Sequence, residues 1–196
     1  IMPVAQNDFL QVCGDGTLQL IQLDLSGFEA NRVRSDIFFS VMDDAIFDRV
    51  ASSNTGWFLI THSGTIFHAS TDDDQIIIED GWNPRLEGEE NWRPGGRNEI
   101  ITAHHETGLI YVAMHEGPID THHEPGTEIW VLDSNSKRRI GKIALDTPAN
   151  SILVTQEENP KLLVVDSEGG SHVYNAMTLS YERSIAIPGS TAFEDL

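Results

Sequence analysis

Apolar and polar residues alternate along most of this chain with a period of two, and the 3.6-residue spacing of an amphipathic helix is nearly absent. Four stretches share one layout: a short apolar strand, a turn rich in glycine, a Thr or Ser, and a second strand. They are 8–13 with 17–23, 57–62 with 65–69, 109–114 with 127–132, and 161–165 with 171–174. Gly14 and Gly16, Gly64, Gly126, and Gly169 with Gly170 punctuate them, because tight hairpin turns need the positive φ that glycine adopts without strain.

The layout is an internal repeat. Its marker glycines, Gly16, Gly64, Gly126 and Gly170, recur at intervals of roughly 45–60 residues, close to the period of a β-propeller blade. The longer step between Gly64 and Gly126 implies inserted loops, with candidates at 80–96 and 115–125. An outer strand can be placed in each unit, at 30–39, 75–79, 136–143 and 181–187; these alternate or carry charge, as exposed strands do. Only 43–49 could form a short helix. The pattern predicts an all-β chain, a β-propeller of about four blades of four antiparallel strands. Approximate blade boundaries fall at 1–40, 41–95, 96–147 and 148–196. Four blades either close a small ring alone or are part of a larger one.

Composition narrows the partners. The chain has 196 residues, 39% of them hydrophobic and 22% charged, enough for a packed core. A net charge of −19 repels phosphate backbones and anionic lipid, so nucleic acid and membrane are not expected partners. No apolar run has the length of a membrane-crossing helix, and no secretory signal is present. The chain opens at Ile1, so either a leader was removed or the numbering begins inside a longer protein. Cys13 is the one cysteine; it is a buried apolar residue or one half of a bridge to a partner outside this sequence.

Candidate chemistry is sparse. His104, His105, His115, His122 and His123 lie close together in sequence. Neighbouring residues on a strand face opposite ways, so His104 and His105 do not easily share an ion, nor do His122 and His123 unless their loop is irregular; His104, His115 and His122 would converge only if the hairpin and its loop fold back. The turn 92–96, Trp-Arg-Pro-Gly-Gly, combines a fixed φ at Pro94 with two glycines that admit close backbone approach. It reads either as a connector packed by Trp92 or as a loop that meets another molecule. Asp72, Asp73 and Asp74 lack the Gly and distal Glu of a calcium loop. Glu87, Glu89 and Glu90 read as a solvated acidic loop, and no phosphate loop or serine nucleophile elbow is found.

The run Trp92-Arg93-Pro94-Gly95-Gly96, followed by Ala103-His104, Leu109-Ile110-Tyr111, Met114-His115, Thr121-His122, Pro125-Gly126 and 128–133 (Glu-Ile-Trp-Val-Leu-Asp), resembles the heavy subunits of methylamine and aromatic amine dehydrogenases. The earlier Cys13-Gly14-Asp15-Gly16, Arg34-Ser35 and 38–41 are similar to that family too, so the likeness runs over roughly 1–187. Arg97-Asn98-Glu99 and His123 depart from it.

The resemblance implies a propeller of about seven blades, of which this chain matches the second half. It implies a non-catalytic heavy subunit that scaffolds a small subunit carrying tryptophan tryptophylquinone, in a periplasmic heterotetramer. That assembly deaminates primary amines and passes electrons to a small copper protein. No catalytic, cofactor or metal residue is expected in this chain, and Trp57 and Trp130 read as packing residues. The small-subunit interface is expected at Trp92, Arg93, Pro94, Gly95, Gly96, His115, Thr121 and His122. Cys13 becomes an orphaned disulfide half whose partner would fall just before Ile1. Two other readings stand beside this one: a free-standing protein-binding propeller, closed as a homodimer and without redox role, and a hydrolase propeller with an axial metal.

Overall fold

The computed structural model describes residues 2–3, 7–24, 26, 29–40, 44–72 and 75–185. All regular structure among them is β, in antiparallel sheets, and no helix among them is long and apolar enough to cross a membrane. The chain divides into two compact units, Ile1–Asn83 and Pro84–Leu196.

The first unit holds two four-stranded meanders. One is β1 (Met2–Pro3), β2 (Asp8–Val12), β3 (Leu18–Asp24) and β4 (Glu29–Arg34). The other is β5 (Ile46–Ser53), β6 (Gly56–Thr61), β7 (Ile66–Asp72) and β8 (Gln75–Ile78). Leu10, Leu18 and Leu20 of the first sheet pack with Leu59, Ala69 and Ile76 of the second. Alternation in β2 and β3 directs these leucines to one face, and that face is covered by the neighbouring sheet.

Two sequence expectations fail here. No helix forms over 44–49, where β5 starts at Ile46; residue 43 lies outside the described residues. Pairing of Val50 with Leu59 and of Ala51 with Phe58 extends this segment, and Phe47 and Ala51 are buried. The outer strand expected over 30–39 stops at Arg34. Ser35 ends it: its hydroxyl accepts the Leu18 N–H at 2.8 Å, and the chain then turns so that Phe38 N–H reaches the Gly16 carbonyl.

The second unit is one continuous sheet in the order β10 (Ile101–Ala103), β11 (Leu109–Glu116), β12 (Gly126–Asp133), β13 (Arg138–Val154), β14 (Lys161–Asp166), β15 (Ser171–Asn175) and β16 (Tyr181–Ile185). The short β9 (Trp92–Pro94) also pairs with β11. The 17-residue β13 serves two modules: 138–144 borders β12, and Ala149–Val154 borders β14. Its two halves let the sheet fold on itself, so that Tyr111, Ile129, Val131 and Ile143 pack with Ile152, Val154, Leu162 and Val164. The outer strand expected over 181–187 is seen to Ile185, and residues 186–187 lie outside the described residues.

Tyr111 ties these two modules together. Its buried hydroxyl donates to the Ala176 carbonyl at 3.0 Å, and burial pushes the phenol pKa up to about 12. Tyr111→Phe leaves that carbonyl without its phenolic donor, and the expected loss is about 1–2 kcal/mol in urea unfolding. An unchanged urea midpoint would show that the bond contributes nothing.

Candidate functional site

The segment 92–96 lies against the end of β11. In this antiparallel pairing Pro94 faces Met114, Arg93 faces His115 and Trp92 faces Glu116. The backbone then crosses the sheet: Gly95 N–H donates to the Ala113 carbonyl at 3.0 Å, and Gly96 N–H reaches the His122 carbonyl at 3.4 Å. A Cβ at Gly95 would fall on the His115 ring and on the Glu124 carbonyl oxygen. Gly96 has φ +142, and a Cβ there would lie 2.9 Å from the Asn150 carbonyl oxygen. The two glycines are therefore a close-approach requirement, which Pro94 helps to aim.

His115 lies beneath this crossing and is only 4% exposed. Its Nε2 is 2.8 Å from the Thr121 hydroxyl, and that hydroxyl donates its single proton to the Pro118 carbonyl at 2.7 Å. Nε2 must then carry the hydrogen, and Nδ1 is a buried acceptor with no hydrogen-bond partner. Burial lowers the His115 pKa most; Glu124 pulls it up, and Arg93 pushes it further down. Thr121 N–H also bonds the Pro118 carbonyl, and Glu124 N–H bonds the Thr121 carbonyl, so 117–124 is a compact loop. His122 stacks on His123 with ring centroids 4.0 Å apart; its pKa is also lowered, chiefly by burial, then by His123, against Asp120.

The structure brings Trp92, Arg93, Pro94, Gly95, Gly96, His115, Thr121 and His122 into one cluster. Pro94, Gly95, Gly96 and His115 are buried, so they brace the loop from below; the exposed surface is the loop tip itself. At that tip Ile119 is 54% exposed, among Glu116, Asp120 and Glu124. Sequence reasoning missed Ile119; an isolated apolar residue between Pro118 and Asp120 in a polar loop was the available signal.

It also missed the clamp that fixes Trp92. This ring stacks on Trp130 at 5.6 Å, and the Arg139 guanidinium covers Trp130 at 4.1 Å. Arg139 forms a two-pronged, mostly buried pair with Glu89 at 2.8 and 2.9 Å, which holds the Glu89 carboxyl below its usual range. Glu128 completes the clamp by accepting from Trp130 Nε1 at 2.8 Å and from Lys142 at 2.7 Å. Glu89, read from sequence as solvated, is thus a structural anchor.

The remaining candidates lie apart from this cluster. His104 is buried with Nδ1 3.0 Å from the Thr107 hydroxyl and Nε2 3.2 Å from the Glu157 carbonyl, so it does not join His115 and His122. Among the described residues no group of three or more His, Cys, Asp or Glu is placed to hold a metal. Cys13 is buried in the first unit, where Arg34 Nη2 approaches its sulfur at 3.7 Å. Asp73 and Asp74 lie outside the described residues.

A family model described as "Methylamine dehydrogenase heavy chain (MADH)" matches residues 1–191. The methylamine dehydrogenase heavy chain of Methylobacillus flagellatus is 30% identical over 183 residues, 91% of this chain and 45% of that protein. Those of Paracoccus versutus and Methylorubrum extorquens are 27% identical over 191 residues and 26% over 177, covering 94% and 89% of this chain and 44% and 42% of theirs. This chain belongs to the methylamine dehydrogenase heavy chain family, whose fold is a β-propeller, and its all-β sheets agree with that fold. It spans less than half the length of these relatives.

Two outcomes follow for the cluster. Gly95→Ala, which drives a methyl into the His115 ring and a backbone oxygen, should cost about 2 kcal/mol or more in chemical denaturation. If the variant unfolds at the wild-type midpoint, the close approach is not a constraint. His115 titrates below its unfolded value, so the unfolded chain takes up the proton first as pH falls. The stability held by the neutral ring is complete above about pH 6.5 and is lost as pH drops through that value toward the folded pKa. The slope of unfolding free energy against pH between about 7 and 5 should be smaller in His115→Asn than in the wild type; equal slopes would contradict the assignment.

Proposed function

We propose that this member of the heavy chain family is a non-catalytic scaffold whose 117–124 loop docks the quinone-bearing small subunit of an amine dehydrogenase. The observation that carries the reading is the exposed loop tip held on a rigid, buried support by Gly95, Gly96, His115 and Thr121. A loop fixed from below loses little conformational freedom on binding, and an exposed isoleucine among polar neighbours gives an apolar anchor with a polar rim. The match to heavy chains over residues 1–191 supports the same role.

In this reading the small subunit's tryptophan tryptophylquinone supplies the oxidation of a primary amine, and electrons leave to a small copper protein. The residues of this chain position the small subunit and shield its channel from water. The assembly is a heterotetramer in the periplasm. In this reading Cys13, buried in the first unit, is half of a disulfide, as the resemblance to the heavy chains implies.

The test is capture of the quinone-staining small subunit by the full-length heavy chain on co-expression. Ile119→Asp should reduce the amount captured by about tenfold while leaving the heavy chain's unfolding midpoint unchanged, since the side chain is exposed. Undiminished capture removes the loop from the interface. Amine oxidation by the heavy chain alone would end the scaffold reading.

A further inference from the structure

In the first unit, β8 is the last strand of its sheet and pairs with β7 alone. Glu79 N–H bonds the His68 carbonyl, which sets the register. Odd-numbered residues of β8 therefore turn their backbone groups to β7, while Ile76 and Ile78 turn N–H and C=O outward. No strand pairs with them among the described residues. The strand reads Gln-Ile-Ile-Ile, with none of the Lys, Pro or glycine bulge that commonly blunts a sheet edge, and Ile77 is 43% exposed.

Beside this edge lies a cleft of about 570 Å³. Its apolar lining includes Phe38, Phe67, Ile76 and Ile78, and its opposite wall carries Ile37, 73% exposed. Asp36, Glu79 and Asp80 also line it, whereas among the described residues no Lys or Arg does. Glu79 Oε1 lies 2.9 Å from His68 Nδ1.

We propose that β8 is a docking edge for an extended segment of a partner polypeptide, one that alternates apolar and basic residues. The segment adds as a strand, taking hydrogen bonds from Ile76 and Ile78. Its apolar side chains enter the cleft and its cations meet Asp36, Glu79 and Asp80. This is independent of the small-subunit reading, which rests on the 117–124 loop.

The test uses two labelled peptides of equal charge: one alternating Val and Lys, the other with prolines replacing the central valines. Binding to this chain is followed by fluorescence anisotropy, and amide exchange is read at β8. The alternating peptide should bind, with the Ile76 and Ile78 amides protected and that of Ile77 little changed. The proline peptide, Ile77→Lys and the triple variant Asp36→Asn, Glu79→Gln, Asp80→Asn should each bind at least about tenfold more weakly. Equal binding of the two peptides would reduce the effect to adsorption on a chain of net charge −19 and overturn the proposal. Absence of binding, or no protection at Ile76 and Ile78, would overturn it too.

Discussion

Each module of strands has an apolar face that cannot be left in water, and a neighbouring module of the same unit is what covers it. Leu10, Leu18 and Leu20 have no core within their own four strands; they need Leu59, Ala69 and Ile76 from the next meander. Tyr111, Ile129 and Val131 need Ile152, Leu162 and Val164 in the same way. Burying a leucine or isoleucine side chain contributes about 1.5–3 kcal/mol. A single meander forgoes most of that, so within each unit one module packs on the next. The continuous β13, shared by two of them, is a covalent expression of the same dependence.

The proposed docking site lies in the loops rather than in these packed faces. The 92–96 segment begins as a short strand on β11, and the 117–124 loop joins β11 to β12. They are held by contacts of their own: a buried neutral histidine under two glycines, and a Trp–Trp–Arg–Glu clamp. The loop is held from its buried side and the exposed part is small, so in the proposed role a partner would meet a surface that needs little rearrangement. His115 spends its one N–H on Thr121, and its other nitrogen faces backbone.

Much of this was legible in the alternation of residues. Strands β2, β3, β6, β7, β11, β12, β14 and β15 read as apolar runs because sheet packing buries them on at least one face. The first strand of each module was not legible, for differing reasons. Ile101–Ala103 is too short to show a period, Ala149–Val154 is fused to the strand before it, and Ile46–Ser53 mixes charge with apolar residues across a register irregularity. At the site, Trp92–Gly96 was visible because Pro and paired Gly mark special backbone. The Glu89–Arg139 pair was not, since its partners are fifty positions apart and each alone looks like surface charge. Ile119 was hidden by the opposite effect, a lone apolar residue in a loop with no period to betray it.

The account turns on one surface, the braced 117–124 loop, being where the small subunit sits. Hydrogen exchange of the full-length heavy chain, with and without the quinone-bearing small subunit, measures this directly. Slowed exchange in 117–124 on complex formation, with 92–96 already slow in the free chain because it is pinned from within, is the expected pattern. Exchange in 117–124 that stays the same while protection appears only elsewhere would contradict it.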